Sequence, residues 1–542
     1  MLTSKFLAER LKNAGVKHLF TVPGDYVLDF VRDLWNNKDI QVILNTDENH
    51  SGFAADGYAR VTGVGCVVAT YSVGASKVIN AVQCAYAERS PLIVISGAPA
   101  MSERNESYRI HHVVKNFKTQ KQMFDEITCA SVVLDNPVTA GYEIDRAFEA
   151  LHYFKRPIYI ELPRDVAKQT ISYDVYNQGT PCAPPTDHEN LQEALKEIFD
   201  WLKSAKSPAI LAGVELARYH LSEQMIRFAE KHQIPVVTTL LSKSVIGERH
   251  PQFAGLYHGS GSREECRKIV EESDCLLMFG DLLTDMTLGF RPAGLKKRQA
   301  VSATVEGLRV RNHTFTNIQF VDFCKALFKL ETGTKWNPTI TLSKEKPTFD
   351  PKPEAKITSE RLFAKINSIL NNKMAICADI GDSLFGAGDL TVHHEHHFLS
   401  PAYYTTMGAS IPYALGVQTA LPDVRPIVII GDGAFQMCSL ELSTILQRGL
   451  NPIVFVLNND GYTTERCLAD GGFNDIRRWN YHKISELIGG GKGRQVNTEG
   501  DLEAAVQDAL DSKELFVINV MLSRFDISPG LKRMAEGLGK RI

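Results

Sequence analysis

The chain is 542 residues long, 44% hydrophobic and 23% charged, with a formal net charge of −3. That length predicts about three domains, and the composition is that of a globular protein with enough apolar residues for sizeable cores. The small net charge gives no reason to expect a nucleic acid or an anionic membrane as partner, and no apolar run approaches the ~18 residues of a membrane span.

Residues 1–13 read as an amphipathic helix start, charged throughout and lacking the apolar core of a signal peptide. Apolar strand-like runs follow at 17–22, 42–46, 66–71, 92–96 and 158–162, with helices predicted between them, as at 51–62 and 75–87. The middle of the chain offers strands at 209–213, 235–238, 275–279 and 300–305, and a helix at 221–232. The last third offers strands at 375–379, 427–430, 453–457 and 516–521. Two polar, proline-bearing stretches without periodicity, 173–188 and 332–356, read as linkers. The pattern predicts an α/β protein of three doubly wound parallel-sheet domains, over 1–175, 189–331 and 357–542. Of the ten cysteines, Cys66, Cys275 and Cys377 lie inside apolar runs and no CxxC pair occurs. Buried free thiols fit a cytoplasmic protein.

Chemistry concentrates in 427–465. Its two apolar runs are short and continuous, as in strands buried on both faces of a parallel sheet. Between them Phe435, Met437, Leu440, Leu442, Ile445, Leu446 and Leu450 recur at helical spacing, and Gly449 stands where such a helix would end. A βαβ unit brings its two strand-end turns side by side, where open α/β sheets bind ligands. The first turn is Gly431-Asp432-Gly433 and the second Asn458-Asn459-Asp460-Gly461, with 24 residues from Ala434 to Leu457 between them. Asp432, Asn458 and Asn459 offer oxygen ligands. Magnesium takes one or two such oxygens and completes its shell with ligand phosphates and water. The stretch therefore predicts a site for a diphosphate carried on magnesium; the Gly-Lys-Ser/Thr ending of a P-loop is absent.

This pair of turns resembles the thiamine-diphosphate binding motif. Four further stretches resemble the thiamine-diphosphate-dependent 2-oxo-acid decarboxylases: FTVPGDY with Asp25, NTDENHSGFAADGYAR with Glu48, YRIHHVV with His111 and His112, and NNDGYTTER with Glu465. The family includes pyruvate, indolepyruvate, phenylpyruvate and branched-chain 2-oxo-acid decarboxylases. The resemblance implies three domains that bind the cofactor's pyrimidine, stabilise the assembly and bind the diphosphate, in that order. It also implies a homodimer or homotetramer, with each active site between the first domain of one subunit and the third of another.

Taken alone, each of these residues has a plainer reading. Glu48 can cap a helix, Asp25 can make a turn, adjacent histidines are commonplace, and Glu465 suits the first turn of a helix. The resemblance implies instead that Glu48 bonds the pyrimidine nitrogen, that Asp25, His111 and His112 relay protons, and that Glu465 faces the reacting carboxylate. It implies Asp432, Asn459 and the Gly461 carbonyl as Mg2+ ligands. Contacts to thiamine diphosphate are implied for Glu48, Asp382, Met407, Gly431, Asp432, Gly433, Ala434, Asn459 and Gly461, and a substrate pocket for Leu384, Thr405 and Thr464. Met407 matches a wedge that keeps the cofactor bent, its other reading being a core methionine. Pyruvate decarboxylases commonly carry Gly-Ser-Ile-Gly where this chain has Thr405-Thr406-Met407-Gly408, which looks closer to phenylpyruvate decarboxylases.

The expected activity is decarboxylation of a 2-oxo acid to an aldehyde and carbon dioxide. A branched-chain or aromatic acid is favoured over pyruvate because Leu384 and Thr464 leave room for it. Asp25 and Glu465 in one dry pocket should push one carboxyl toward its protonated form. Two other readings stay open. The histidine pair argues against an acetohydroxyacid synthase-like carboligase, and Glu48, Asp432 and Asn459 argue against an inactive regulatory or scaffold relative. The HHEHH run at 393–397 reads as loop rather than metal site, and the glycine-rich 255–262 lacks dinucleotide spacing.

Overall fold

The structure, a computed structural model, describes residues 1–105, 108–171, 182, 184–290, 295, 300–336 and 348–538. Of the two expected linkers, residues 173–181, 183 and 337–347 lie outside the described residues. The chain packs into two compact units: 1–183 with 411–424 and 438–450, and 184–410 with 425–437 and 451–542.

The first unit holds a six-stranded sheet of β1 (His18–Thr21), β2 (Gln41–Leu44), β3 (Gly65–Ala69), β4 (Leu92–Ala98), β5 (Ala130–Val133) and β6 (Ile158–Pro163). Its order is β2-β1-β3-β4-β6-β5 and every pairing is parallel. β3 and β4 are buried along their whole length, which is why they read as unbroken apolar runs. The helix Glu48–Thr62 follows β2 and is capped by Asp47, whose side chain accepts from the Asn49 amide. Its small residues are explained by close packing: a Cβ on Gly52 would come within 2.6 Å of the Ala81 Cβ in the helix Ala75–Ala87.

In the second unit, seven strands form one sheet: β7 (Pro208–Ala212), β8 (Val236–Thr238), β9 (Phe253–Leu256), β10 (Cys275–Phe279), β11 (Ala300–Thr304), β12 (Gly307–Val310) and β13 (His313–Phe315). Six form the other: β14 (Met374–Ala378), β15 (Phe398–Leu399), β16 (Arg425–Gly431), β17 (Ile453–Asn458), β18 (Lys492–Val496) and β19 (Phe516–Met521). This last sheet runs β15-β14-β16-β17-β19-β18, all parallel. Leu362, Ile376, Ile427, Phe455 and Ile518 are among the residues of its core. Cys66, Cys275 and Cys377 are buried and free.

The middle sheet departs from the expected parallel pattern at one edge. β11, β12 and β13 pair antiparallel because two-residue turns join them, and a parallel crossover needs a dozen or more residues. The helix expected between β16 and β17 is also broken, into Asp432–Cys438, a 3₁₀ turn Ser439–Glu441, and Leu442–Gln447.

Asp281 lies just beyond β10, after Gly280 at a φ of 63°. Its Oδ2 has no partner, and burial pushes its carboxyl up to about 7. A group with a raised folded-state pKa binds its proton more tightly when folded. Its stabilisation is present at low pH and is lost as pH rises through about 7. Asp281→Asn should leave the urea midpoint unchanged near pH 4 and raise stability near pH 8 by on the order of 2–4 kcal/mol relative to the wild type. Urea titrations at both pH values check this, and equal shifts at both would refute it.

Candidate active site

In the first unit the neighbouring strands β2, β1, β3 and β4 gather whatever follows them at one sheet edge. Asp25 follows β1, Glu48 follows β2, Thr70 follows β3, and the histidine pair comes after β4. Thr70 Oγ1 donates to Asp25 Oδ1 at 3.2 Å, and His111 Nε2 lies 2.7 Å from Asp25 Oδ2. Tyr26 stacks on His111 with ring centroids 4.8 Å apart, and its hydroxyl sits 3.3 Å from His111 Nδ1. His112 packs edge-on to His111 at 4.7 Å, and its own Nδ1 is buried without a partner. Burial pushes the Asp25 carboxyl up, but the bonds to His111 and Thr70 outweigh it and hold it below the ordinary carboxylate range. Glu48 opens its helix, and its Oε2 takes the Lys77 ammonium at 2.8 Å. Thr70 also borders Glu48: a Cβ on Gly74 would meet Glu48 Oε1 and the Thr70 amide at 3.1 Å each.

In the second unit the adjacent β14, β16 and β17 do the same. Asp432, at the end of β16, is 2% exposed, and its carboxylate accepts from the amides of Gly433 at 2.8 Å and Gly461 at 3.1 Å. Burial pushes its pKa up to about 6. Asn458 and Asn459 lie buried at the end of β17, with Asn458 Oδ1 lacking a partner. A buried carboxylate held by amides, with no cationic side chain bonded to it among the described residues, beside an orphaned amide oxygen, suits a hard cation. The donor set therefore fits Mg2+. Gly461 has a φ of 132°, and a Cβ there would come within 2.0 Å of the Asn474 carbonyl oxygen. Arg466 pins this loop, donating to the carbonyls of Asn459 at 2.9 Å and Asp460 at 2.6 Å.

The remaining expected residues divide. Gly433 closes on Tyr462, whose Cε1 would lie 2.6 Å from a Cβ, and Ala434 is buried beside it, whereas Gly431 has nothing within 4 Å. Thr464 stands beside the turn after β14, its Oγ1 3.0 Å from where a Cβ on Gly381 would be. Met407 is half-buried, Thr405 is exposed at a φ of 57°, and Glu465 is exposed in the first turn of Thr463–Arg466. Asp382 is buried and held within the chain. Its carboxylate is taken by the Ser528 amide and hydroxyl and by the Ser359 hydroxyl, which tie two helix starts together. Leu384 is fully buried in the sheet's apolar core. The HHEHH rings of His394 and His397 lie 5.0 Å apart, but the residues whose ligating atoms converge are Asp25, His111 and His112.

Sequence reasoning missed Thr70, Tyr26, Lys77, Asp379 and Arg466. Asp379 is buried, and its carboxylate holds the amides of Gly408 and Ser410 at 3.1 Å each, which fixes the loop that presents Met407. Both Asp379 and Thr70 stand just past strand ends in the fold, but the apolar runs at 375–379 and 66–71 include them, so the pattern did not mark them.

Residues 1–126, 195–329 and 379–520 match the N-terminal TPP binding, central, and C-terminal TPP binding domains of the thiamine pyrophosphate enzymes. Fold and site thus define an enzyme that uses thiamine diphosphate, with Mg2+ the usual partner metal. The chain is 31% identical to indole-3-pyruvate decarboxylase of Azospirillum brasilense, over 99% of this chain and 98% of that one. It is 31% identical to a probable pyruvate decarboxylase of Schizosaccharomyces pombe, over 94% and 91%. Against pyruvate decarboxylase isozyme 1 of Saccharomyces cerevisiae it is 28% identical, over 98% and 97%. The chain belongs to the thiamine-diphosphate-dependent 2-oxo-acid decarboxylases.

Gly461→Ala should weaken thiamine diphosphate and Mg2+ binding roughly tenfold, as expected from 1–3 kcal/mol of backbone strain. Gly472→Ala, with nothing within 4 Å of the added Cβ, serves as control. Calorimetric titration of the cofactor-stripped protein reads both, and equal affinities would count against the loop geometry.

Proposed function

We propose that the chain decarboxylates a branched-chain or aromatic 2-oxo acid, releasing carbon dioxide and an aldehyde, in the cytoplasm. The observation that carries this reading is the Asp25–His111 pair at 2.7 Å with His112 packed against it. Such a cluster is built to hold and deliver protons, which aldehyde release demands and carbon–carbon ligation does not. When bound, thiamine diphosphate supplies the nucleophilic carbon and the electron sink that no side chain offers. Asp432, Asn459 and the Gly461 carbonyl would hold Mg2+; Gly431, Gly433 and Ala434 would receive the diphosphate; Met407 would pack against the cofactor. Glu48 bonds the pyrimidine nitrogen. Asp25, His111 and His112 move protons, and Glu465 faces the substrate carboxylate.

Substrate preference is supported by the uncharged pocket residues Thr405 and Thr464, with Leu384 shaping it from the core behind, and by the indole-3-pyruvate decarboxylase likeness. We take 1–175, 189–331 and 357–542 as the domains, with the chain acting as a homodimer or homotetramer. In this arrangement Asp25, Glu48, His111 and His112 of one copy complete the site on the diphosphate domain of another. Among the described residues no helix is long and apolar enough to cross a membrane.

Aldehyde release should require both thiamine diphosphate and magnesium. Phenylpyruvate, indolepyruvate or a branched-chain acid should exceed pyruvate in kcat/KM by about tenfold or more. His111→Ala should lower kcat by on the order of 10²–10⁴. An enzyme-linked assay of all four substrates, with and without cofactor and metal, decides: no cofactor-dependent aldehyde from any removes the reading, and a preference for pyruvate overturns the substrate assignment.

A further inference from the structure

Lys77 stands in a position that helix physics does not favour. It is the third residue of the helix Ala75–Ala87, whose N-cap Gly74 makes no side-chain cap and whose first turn carries no acidic residue. The positive end of a helix dipole repels a cation there. What offsets this is a pair of carboxylates from the preceding strand–helix turn. The Lys77 ammonium bonds Asp47 Oδ2 and lies 2.8 Å from Glu48 Oε2. These two carboxylates differ in what else they do. Asp47 already caps its own helix through Oδ1, accepting from the Asn49 amide at 2.8 Å. Glu48 is the group assigned above to the cofactor's pyrimidine nitrogen, and its side chain is 12% exposed. Its other oxygen lies over Gly74, where an added Cβ would come within 3.1 Å.

We propose that Lys77 is a positioning residue that sets the enzyme's affinity for thiamine diphosphate, by holding Glu48 in an ion pair which binding of the pyrimidine ring must exchange. This rests on the assignment of Glu48 as the ring's partner. The ammonium lies 2.8 Å from Glu48 Oε2, so the ring nitrogen must displace that contact to bond the carboxyl group. The exchange leaves no charge stranded, because Asp47 keeps its bond to the ammonium when Glu48 turns to the ring. Lys77 thereby keeps the cofactor-free carboxylate satisfied and makes the cofactor compete for it.

The test uses the full-length, cofactor-stripped protein titrated calorimetrically in the presence of Mg2+. Lys77→Met should bind thiamine diphosphate about two- to fivefold more tightly, the range of a partly exposed ion pair, while Lys77→Arg should match the wild type. With an analogue that carries C–H in place of the pyrimidine nitrogen facing Glu48, the gain should vanish. An unchanged or weaker affinity in Lys77→Met, or a gain that persists with the analogue, overturns the proposal. Glu48→Gln separates the two layers. If it binds the cofactor as tightly as the wild type, the assignment of Glu48 falls and this inference with it. If it binds more weakly while Lys77→Met changes nothing, the role of Lys77 alone falls.

Discussion

The third sheet is organised around one buried carboxylate. Asp432 is 2% exposed, and burial raises its pKa to about 6. That cost is offset in part by backbone amides, those of Gly433, Gly461 and Asn459. The Gly461 amide reaches Asp432 only because the loop after β17 folds back, and folding back requires a φ of 132° against the Asn474 carbonyl. Arg466 then locks the loop by filling the carbonyls of Asn459 and Asp460. Geometry and electrostatics are therefore one problem here. The same loop that partly satisfies the anion presents the oxygens a cation needs, and a cation completes what amides begin.

Much of this architecture was legible because parallel sheets bury their strands on both faces, so β3, β4, β16 and β17 announced themselves as apolar runs. Edge strands obey a different rule. β18, with the sequence KGRQV, is mostly exposed and carries no apolar pattern, and β5 alternates buried with half-buried positions. Neither could be told from loop. The break in the helix after β16 was hidden for another reason. Glu441, within an expected helix face, is fully buried and accepts from Asn45 Nδ2 at 2.8 Å and Thr46 Oγ1 at 2.6 Å. Its partners lie 396 and 395 residues away in sequence, and a local pattern cannot contain them.

The site shows the same division between local and distant causes. The pair of turns located Asp432 and Asn459 because each follows a strand that the pattern had already placed, whereas Asp25 and Glu48 stood out through the family resemblance. The pattern could not assign roles among strand-end aspartates. Asp379 and Asp382 stand three residues apart after β14, yet one bonds the amides of Gly408 and Ser410 while the other bonds Ser359 and Ser528. The resemblance implies Asp382 as a cofactor contact; within the chain its partners are helix starts that become neighbours only in the folded sheet. Leu384 sits in the short helix Asp382–Ala387, which packs directly into the apolar core.

The two residue sets also differ in how much water they meet, and the difference constrains the chemistry. Asp432 and Asn459 are buried within one unit, whereas the side chains of Asp25 and His111 are 50% and 60% exposed. An aspartate–histidine bond at 2.7 Å in contact with water is heavily screened, and protons held there exchange with solvent. Delivering a proton selectively to a reacting carbon requires that water be excluded while the bond stays intact. The cation half needs no such cover, being dry already. In the proposed assembly the surface that brings thiamine diphosphate to Glu48 must therefore also close over Asp25, His111 and His112. Cofactor placement and proton control then become consequences of one contact.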